Sequence, residues 1–320
     1  MSKGRYGNDV SVAPVLLRAF AGAWWSSWDG RAKGAVERQE RTLSQADTQF
    51  HSIHAHGFVR VAAATPIATA GDPAANAEAA LALAREADAA GVDLVVYPEL
   101  NISSYAVDDL HLQDGFIRAT EAAVAAVVAG SAGLKPVLVV GAPLARNGRL
   151  YNCAWVIARG RLIGIVPKSF LPNYREYYEK RWFASGAGLT GLMVEVGGET
   201  VPFGTDLIFA ASDLPDFVFA AEICEDYWAP IPPSTHAALA GALILCNLSA
   251  SNIVIGKARE RAMLAAAHSA RTCSAYAFAA AGPGESTTDL SWDGQAFLYE
   301  LGDELASSSR FSGSAELTIA

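Results

Sequence analysis

The sequence predicts a layered α/β sandwich built on two β-sheets. From Val59 onward, short apolar runs alternate with helical stretches, as in open α/β folds. Hairpin signatures break that alternation, which a purely parallel sheet would not need.

The elements follow in order. VRVAAATP (59–66) reads as a strand. Asp72 and Pro73 supply an N-cap and a first-turn proline for an Ala-rich helix that Gly91 closes. DLVVYPE (93–99) is a continuous apolar run, as in a strand buried on both faces. A helix near 115–130 and a strand KPVLVVGAP (135–143) repeat the pattern. YNCAWVIAR (151–159) and LIGIVPK (162–168) flank Gly160-Arg161 and predict a hairpin turning there. FVFAAEIC (217–224) and LILCNLS (243–249) are further buried strands, and a helix over 256–275 leads into YAFAAAG (276–282). WDGQAFLYELGDELASS (292–308) forms a last hairpin around Leu301-Gly302-Asp303.

No repeat or low-complexity linker divides residues 57–320, so they read as one domain. Residues 1–56 differ: they lack sustained periodicity and read as a disordered or wrongly started extension. Within it, 12–25 (VAPVLLRAFAGAWW) is interrupted by Arg18 and too short for a membrane span, so neither a signal peptide nor a membrane anchor is expected. His51, His54 and His56 could ligate a metal, but no acidic or cysteine ligand accompanies them and no metal is expected. A formal charge of −9 disfavours nucleic acid as a partner. Four cysteines without CxxC spacing fit a reducing cytoplasm rather than a disulfide scaffold.

Three reactive side chains share one position, each closing an apolar strand: Glu99, Lys168 and Cys224. Open α/β sheets gather functional groups at the carboxyl ends of strands. A thiol attacks only as thiolate and needs a base or a cation beside it. No histidine lies near a comparable strand end, so Glu99, with Lys168 as cation, is the available pair. The competing reading of Cys224 is a buried core cysteine, and of Lys168 a surface lysine. The polar EDYW that follows Cys224 sets it at a mouth rather than in mid-core.

VVYPELNISSY (95–105), GIVPKSFLPNYREYYEKR (164–181) and AAEICEDYW (220–228) resemble, in that order, the Glu, Lys and Cys motifs of the nitrilase superfamily. HGFVRVAAATP, GDPAAN, FGTDLIFAASDLP, PPSTHAALAGA, LSASNIVIGKA and GESTTDLSWDGQ are similar to the glutaminase domain of bacterial, especially actinobacterial, glutamine-dependent NAD synthetases. The similarity covers 57–320 and excludes the first 55 residues.

The resemblance implies a four-layer αββα sandwich and L-glutamine as substrate. Cys224 would be the nucleophile, Glu99 the general base and acid, and Lys168 the oxyanion donor. Glu176 would be the family's second glutamate, holding Lys168 and the substrate amide; an exposed loop charge is its alternative. Tyr174, Tyr177, Ser251 and Lys257 would line the glutamine pocket. Lys257 stands where the family commonly carries Arg; it keeps the charge but loses the bidentate fork. It could instead simply begin a helix facing solvent. The glutaminase step would need no cofactor. ATP and Mg would serve a synthetase domain whose SGGxDS loop does not occur here, nor does GxxxxGK[ST]. GPGEST (282–287) reads as a turn. The chain stops at ELTIA, where a final strand would be forming, so it is expected to be a truncated or stand-alone part of a longer, homo-oligomeric enzyme. A stand-alone amidase or nitrilase acting on another small amide, and a non-catalytic assembly module, are the alternatives.

Overall fold

The structure, a computed structural model, describes residues 10–14, 52–214 and 216–320. Its elements are β1 (Val10–Pro14), β2 (Val61–Thr65), α1 (Pro73–Ala89), β3 (Leu94–Val96), α2 (Asp114–Gly130), β4 (Val137–Arg146), β5 (Arg149–Ala158), β6 (Arg161–Pro167), β7 (Leu192–Val196), β8 (Glu199–Phe203), β9 (Leu207–Ala211), β10 (Val218–Ile223), α3 (Pro233–Leu239), β11 (Ile244–Ser249), α4 (Lys257–Thr272), β12 (Ala275–Ala280), β13 (Ala296–Glu300), β14 (Asp303–Ser307) and β15 (Glu316–Ile319).

The strands form two sheets, ordered β15-β2-β3-β4-β5-β6-β8-β7 and β1-β9-β10-β11-β12-β13-β14. At the centre of each, three consecutive neighbours run parallel: β2, β3 and β4 in the first, β10, β11 and β12 in the second. Hairpins and antiparallel strands extend both outward. The two sheets meet face to face, β10 against β5 and β6, and β12 against β2 and β3.

Strand alternation assigns each face. Val95, Leu138, Val140, Ala142, Trp155 and Ile157 point outward from the first sheet into a cluster with Ala77, Ala80, Ala84, Val124 and Val127 of α1 and α2. Their small alanines let α1 lie close, and the Tyr97 hydroxyl reaches across to the Ala80 carbonyl at 2.8 Å. On the second sheet, Ala220, Leu245, Tyr276, Phe278 and Phe297 pack against Ala265 of α4 and neighbouring residues. The layers are α1 and α2, the two sheets, then α3 and α4: the αββα sandwich expected.

Asp72 caps α1 by accepting the Ala75 N–H at 3.0 Å, with Pro73 in the first turn, as read from sequence. The β5–β6 hairpin turns at Arg159-Gly160, one residue before the predicted pair, because two consecutive positive φ values (51° and 77°) suit the strand twist there. The last hairpin turns at Leu301-Gly302, inside the predicted segment. ELTIA completes a strand: β15 pairs antiparallel with β2.

The expectation of an unstructured start needs correction at one place. Residues 10–14 pair antiparallel with β9, extending the second sheet, because an extended pentapeptide can satisfy the N–H and C=O groups of that edge. They group with residues 60–320 in one compact unit. The other unit spans residues 16–59; its described part holds a short 3₁₀ turn, Ile53–His56, carrying His54 and His56. His51 and most of the 12–25 run lie outside the described residues. Among the described residues no helix is long and apolar enough to cross a membrane, and no His, Cys, Asp and Glu cluster has metal-binding geometry. All four cysteines are free, and Cys273 alone among them is exposed.

Candidate active site

Three strand ends deliver the reactive groups. After β3 the chain turns through Pro98–Asn101 and lies directly on β4. Gly141 permits this: a Cβ there would overlap the Leu100 backbone nitrogen and the Pro98 carbonyl. The turn is tied down from both sides, since Gly141 N–H donates to Asn101 Oδ1 at 2.7 Å and Ile102 N–H to the Gly141 carbonyl at 3.0 Å. Glu99 N–H then donates to the Ser249 carbonyl at the end of β11, joining the two sheets (3.3 Å).

Glu99 is 1% exposed. Its Oε1 accepts from Lys168 Nζ (2.6 Å) and Asn152 Nδ2 (2.7 Å), and its Oε2 from the Ala250 N–H (2.8 Å). A carboxylate offers about four lone-pair positions, so one remains open. Lys168 directly follows β6 and donates to Glu99 and to Glu179 Oε1 (2.7 Å). Two of its three ammonium protons are thereby engaged and one is left to aim elsewhere. Burial works against this charge, but Glu179, Glu99 and Cys224 outweigh it and hold Lys168 well above the ordinary lysine range. Burial raises Glu179 despite the opposing pull of Lys168.

Cys224 follows β10 and adopts a left-handed backbone (φ 44°), a conformation that costs a non-glycine residue roughly 1–2 kcal/mol. Asp226, two residues on, holds the turn: it accepts N–H bonds from Ile223 (3.0 Å), Ser169 (3.0 Å) and Phe170 (2.8 Å). The same carboxyl thus fixes the nucleophile's turn and the residues after Lys168. Burial, reinforced by Glu99, pushes the Cys224 thiol above the ordinary cysteine range, while Lys168 pulls the other way. The resting sulfur keeps its proton, and a base must remove it. Glu99, Lys168 and Cys224 therefore converge on one buried centre, each close enough to shape the electrostatics of the sulfur or the ammonium.

The residue expected to hold Lys168 is a different one. Glu176 accepts from Asn252 Nδ2 at 2.6 Å and has no bond to Lys168. Glu179, three residues later in YREYYEKR, opens a 3₁₀ turn with its side chain fully buried and takes that place. Its flanking aromatics, Tyr177-Tyr178 before and Trp182-Phe183 after, were the available signal that this glutamate turns inward.

Asn252 organises the expected substrate residues. Its Oδ1 accepts from Tyr177 Oη (2.8 Å) and Lys257 Nζ (2.6 Å), and Lys257 lies over the rings of Tyr177 (5.8 Å) and Trp228 (5.7 Å). Lys257 thus faces this centre, and burial lowers its pKa. Tyr174 is half exposed and donates to Glu225 at 2.9 Å. Ser251 Oγ accepts from Arg261 Nε (3.1 Å), and the buried Arg261 also pairs with Asp293 (2.9 Å). The reactive cluster is closed over, with a void of about 10 Å³ beside Glu99. A cleft of about 700 Å³ runs between α2 and the β4–β5 hairpin and is lined by none of the three.

Comparison with known proteins identifies the family and the fold. The carbon-nitrogen hydrolase family profile matches residues 59–301. The chain belongs to that family. It is 54% identical over 271 residues to the glutamine-dependent NAD(+) synthetase of Mycobacterium tuberculosis, and 49% to that of Mycobacterium leprae. Each alignment covers 85% of this chain and 40% of the relative, so the chain spans well under half of their length. The crystal structure of the glutamine-dependent NAD(+) synthetase from Cytophaga hutchinsonii superposes with a TM-score of 0.74 at 26% identity, covering 82% of this chain and 42% of that one. An amidase from Nesterenkonia shares the fold, with a TM-score of 0.63 at 18% identity over 82% of this chain and 92% of that one. This family member is therefore an enzyme of carbon-nitrogen hydrolase type with an αββα fold.

Proposed function

We infer that the chain hydrolyses the side-chain amide of L-glutamine through a Cys224 thioester, as the ammonia-supplying part of a glutamine-dependent NAD synthetase. The observation that carries the reading is the fully buried Lys168 ammonium held between Glu99 and Glu179 beside the Cys224 thiol. The 54% identity to a protein named for glutamine and NAD supports this choice of substrate and wider reaction.

In this reading the open position of Glu99 takes the Cys224 proton as sulfur attacks the carboxamide carbon. The oxyanion receives the third proton of Lys168 and a backbone N–H beside Cys224; such a donor is typically worth about 2.7–4 kcal/mol. Glu99 returns the proton to nitrogen, the C–N bond breaks and ammonia leaves. Water, deprotonated by Glu99, then attacks the thioester; glutamate departs and the thiol is restored. Lys257 and Glu225 complement the α-carboxylate and α-ammonium of an amino acid, with Tyr174, Tyr177 and Ser251 shaping the pocket. The hydrolytic step draws on no cofactor. ATP and Mg would serve the amidation of deamido-NAD in a synthetase domain, and assembly would be homo-oligomeric.

The test is steady-state release of glutamate from L-glutamine, run beside simple aliphatic amides and nitriles. Cys224→Ala removes turnover and leaves the fold intact, since it deletes a single buried sulfur atom and little core volume. Equal turnover of acetamide and glutamine would replace glutamine with a broader amide substrate. Undiminished turnover in the alanine variant would remove Cys224 from the chemistry.

A further inference from the structure

The segment after β12, read from sequence as a mere turn, reaches the reactive centre. Gly284 (φ 83°) lies so close to the Ala68 carbonyl that a Cβ would overlap it, and Ala68 N–H donates to the Pro283 carbonyl at 2.9 Å. This seats the segment on the loop after β2, tying the second sheet to the first at the end where the reactive groups meet. Glu285 is 8% exposed and accepts the N–H groups of Tyr105 and Ala106, each at 3.1 Å, and of Ser286 at 3.2 Å. Tyr105 and Ala106 belong to neither a helix nor a strand ladder, so these buried donors depend on that carboxyl. The Tyr105 ring stands edge-on to Trp292 (5.7 Å) and Tyr177 (6.5 Å). Its hydroxyl donates at 2.7 Å to Glu179 Oε1, the same oxygen that accepts from Lys168.

We propose that Glu285 is a positioning residue for the amide-cleaving centre, fixing Lys168 through Tyr105 and Glu179. The proposal rests on the reading of Glu99, Lys168 and Cys224 as the reacting set. The linkage is serial: Glu285 places the Tyr105 backbone, Tyr105 places one oxygen of Glu179, and that oxygen places the ammonium. Glu285→Gln keeps the shape but offers one acceptor oxygen where two are used, and turns an amide N–H₂ toward a backbone N–H. Tyr105→Phe keeps the ring and removes only the bond to Glu179.

A double-mutant cycle decides. Two readouts are followed in wild type, Glu285→Gln, Tyr105→Phe and the double variant: kcat and KM for glutamine, and the pH profile of Cys224 alkylation by iodoacetamide, read by mass. Each single change is expected to lower kcat about 10- to 100-fold, the size of effect a displaced supporting group can have, with KM little changed. Each also shifts the alkylation profile, and the double variant is no worse than the worse single one. Losses that multiply, or a Glu285→Gln protein with wild-type rates and profile, overturn the proposal. If that variant does not fold, Glu285→Asp takes its place in the same cycle. Alkylation needs no substrate, so a wild-type protein inert toward glutamine would sink the assigned activity while the alkylation cycle still judged Glu285.

Discussion

At Lys168 two buried carboxylates share one ammonium, and that stoichiometry sets what each can do. Glu99 keeps one acceptor position open, whereas Glu179 spends one oxygen on Lys168 and Tyr105. Glu176 is bonded instead to Asn252 and through it linked to Lys257. The two glutamates therefore predict different kinetic signatures. Glu179→Gln lowers kcat for amide hydrolysis by about 100-fold, as expected for loss of electrostatic support in the transition state. Glu176→Gln leaves kcat within about threefold and acts on KM; steady-state kinetics on both variants checks the pair. The sequence made Glu99, Lys168 and Cys224 legible because each ends an apolar run. It did not separate Glu176 from Glu179, since both sit in one polar-aromatic stretch and only the 3₁₀ turn decides which points inward. Asn152 and Asp226 were hidden for a similar reason: inside or just after a strand, nothing in residue type announces a partner far away in the chain.

Among the elements, strands with a continuous apolar run and helices with a capping signal were readable, down to Asp72 and Pro73 at the start of α1. The turn at Asn147-Gly148, with φ values of 51° and 70°, carries the strongest short hairpin signal in the chain, yet the strand ending in KPVLVVGAP was not extended to it. The strands β7 and β8 went unread because their half-exposed residues give no sustained run, whereas β9 carries a continuous apolar run, LIFAA, and was legible; the two-turn α3 is too short for a helical period to emerge. Gly141 shows how an element can carry the site. Gly141→Ala forces a methyl into the backbone of the Pro98–Asn101 turn, which cannot yield as a flexible side chain would. The expected cost is at least the roughly 1–3 kcal/mol of ordinary overpacking, measured by urea unfolding, together with a loss of glutamine turnover as Glu99 is displaced. Wild-type stability and turnover in this variant would show that the turn has room to move.

For the whole molecule, buried carboxyls dominate the pH response. Burial raises the pKa values of Glu179, Glu222, Glu225 and Glu285, and lifts Asp226 to about 8. For such groups the folded chain binds protons more tightly than the unfolded chain, so each contribution falls as pH climbs from the unfolded value toward the folded one. His111 and His268, lowered to about 4 by burial, act in the opposite sense, but only below their unfolded value near 6.5. Between about pH 6.5 and 8 the histidines no longer contribute, Asp226 loses its contribution as pH rises toward its folded value of about 8, and the melting temperature falls. Calorimetry across this window should show the decline, and Asp226→Asn should flatten it. A melting temperature that rises toward pH 8 would contradict these shifts. The far rim of the first sheet carries a separate consequence. Val61 and Ala320 exchange a reciprocal pair of backbone bonds (2.8 and 3.0 Å), so the last residue is itself a rung of the ladder. Trimming residues 316–320 would bare the flank of β2, whose five residues offer no lysine, proline or other charge to repel a visitor. The shortened chain would recruit further copies by strand addition, and light scattering would register particles larger than those of the untrimmed protein.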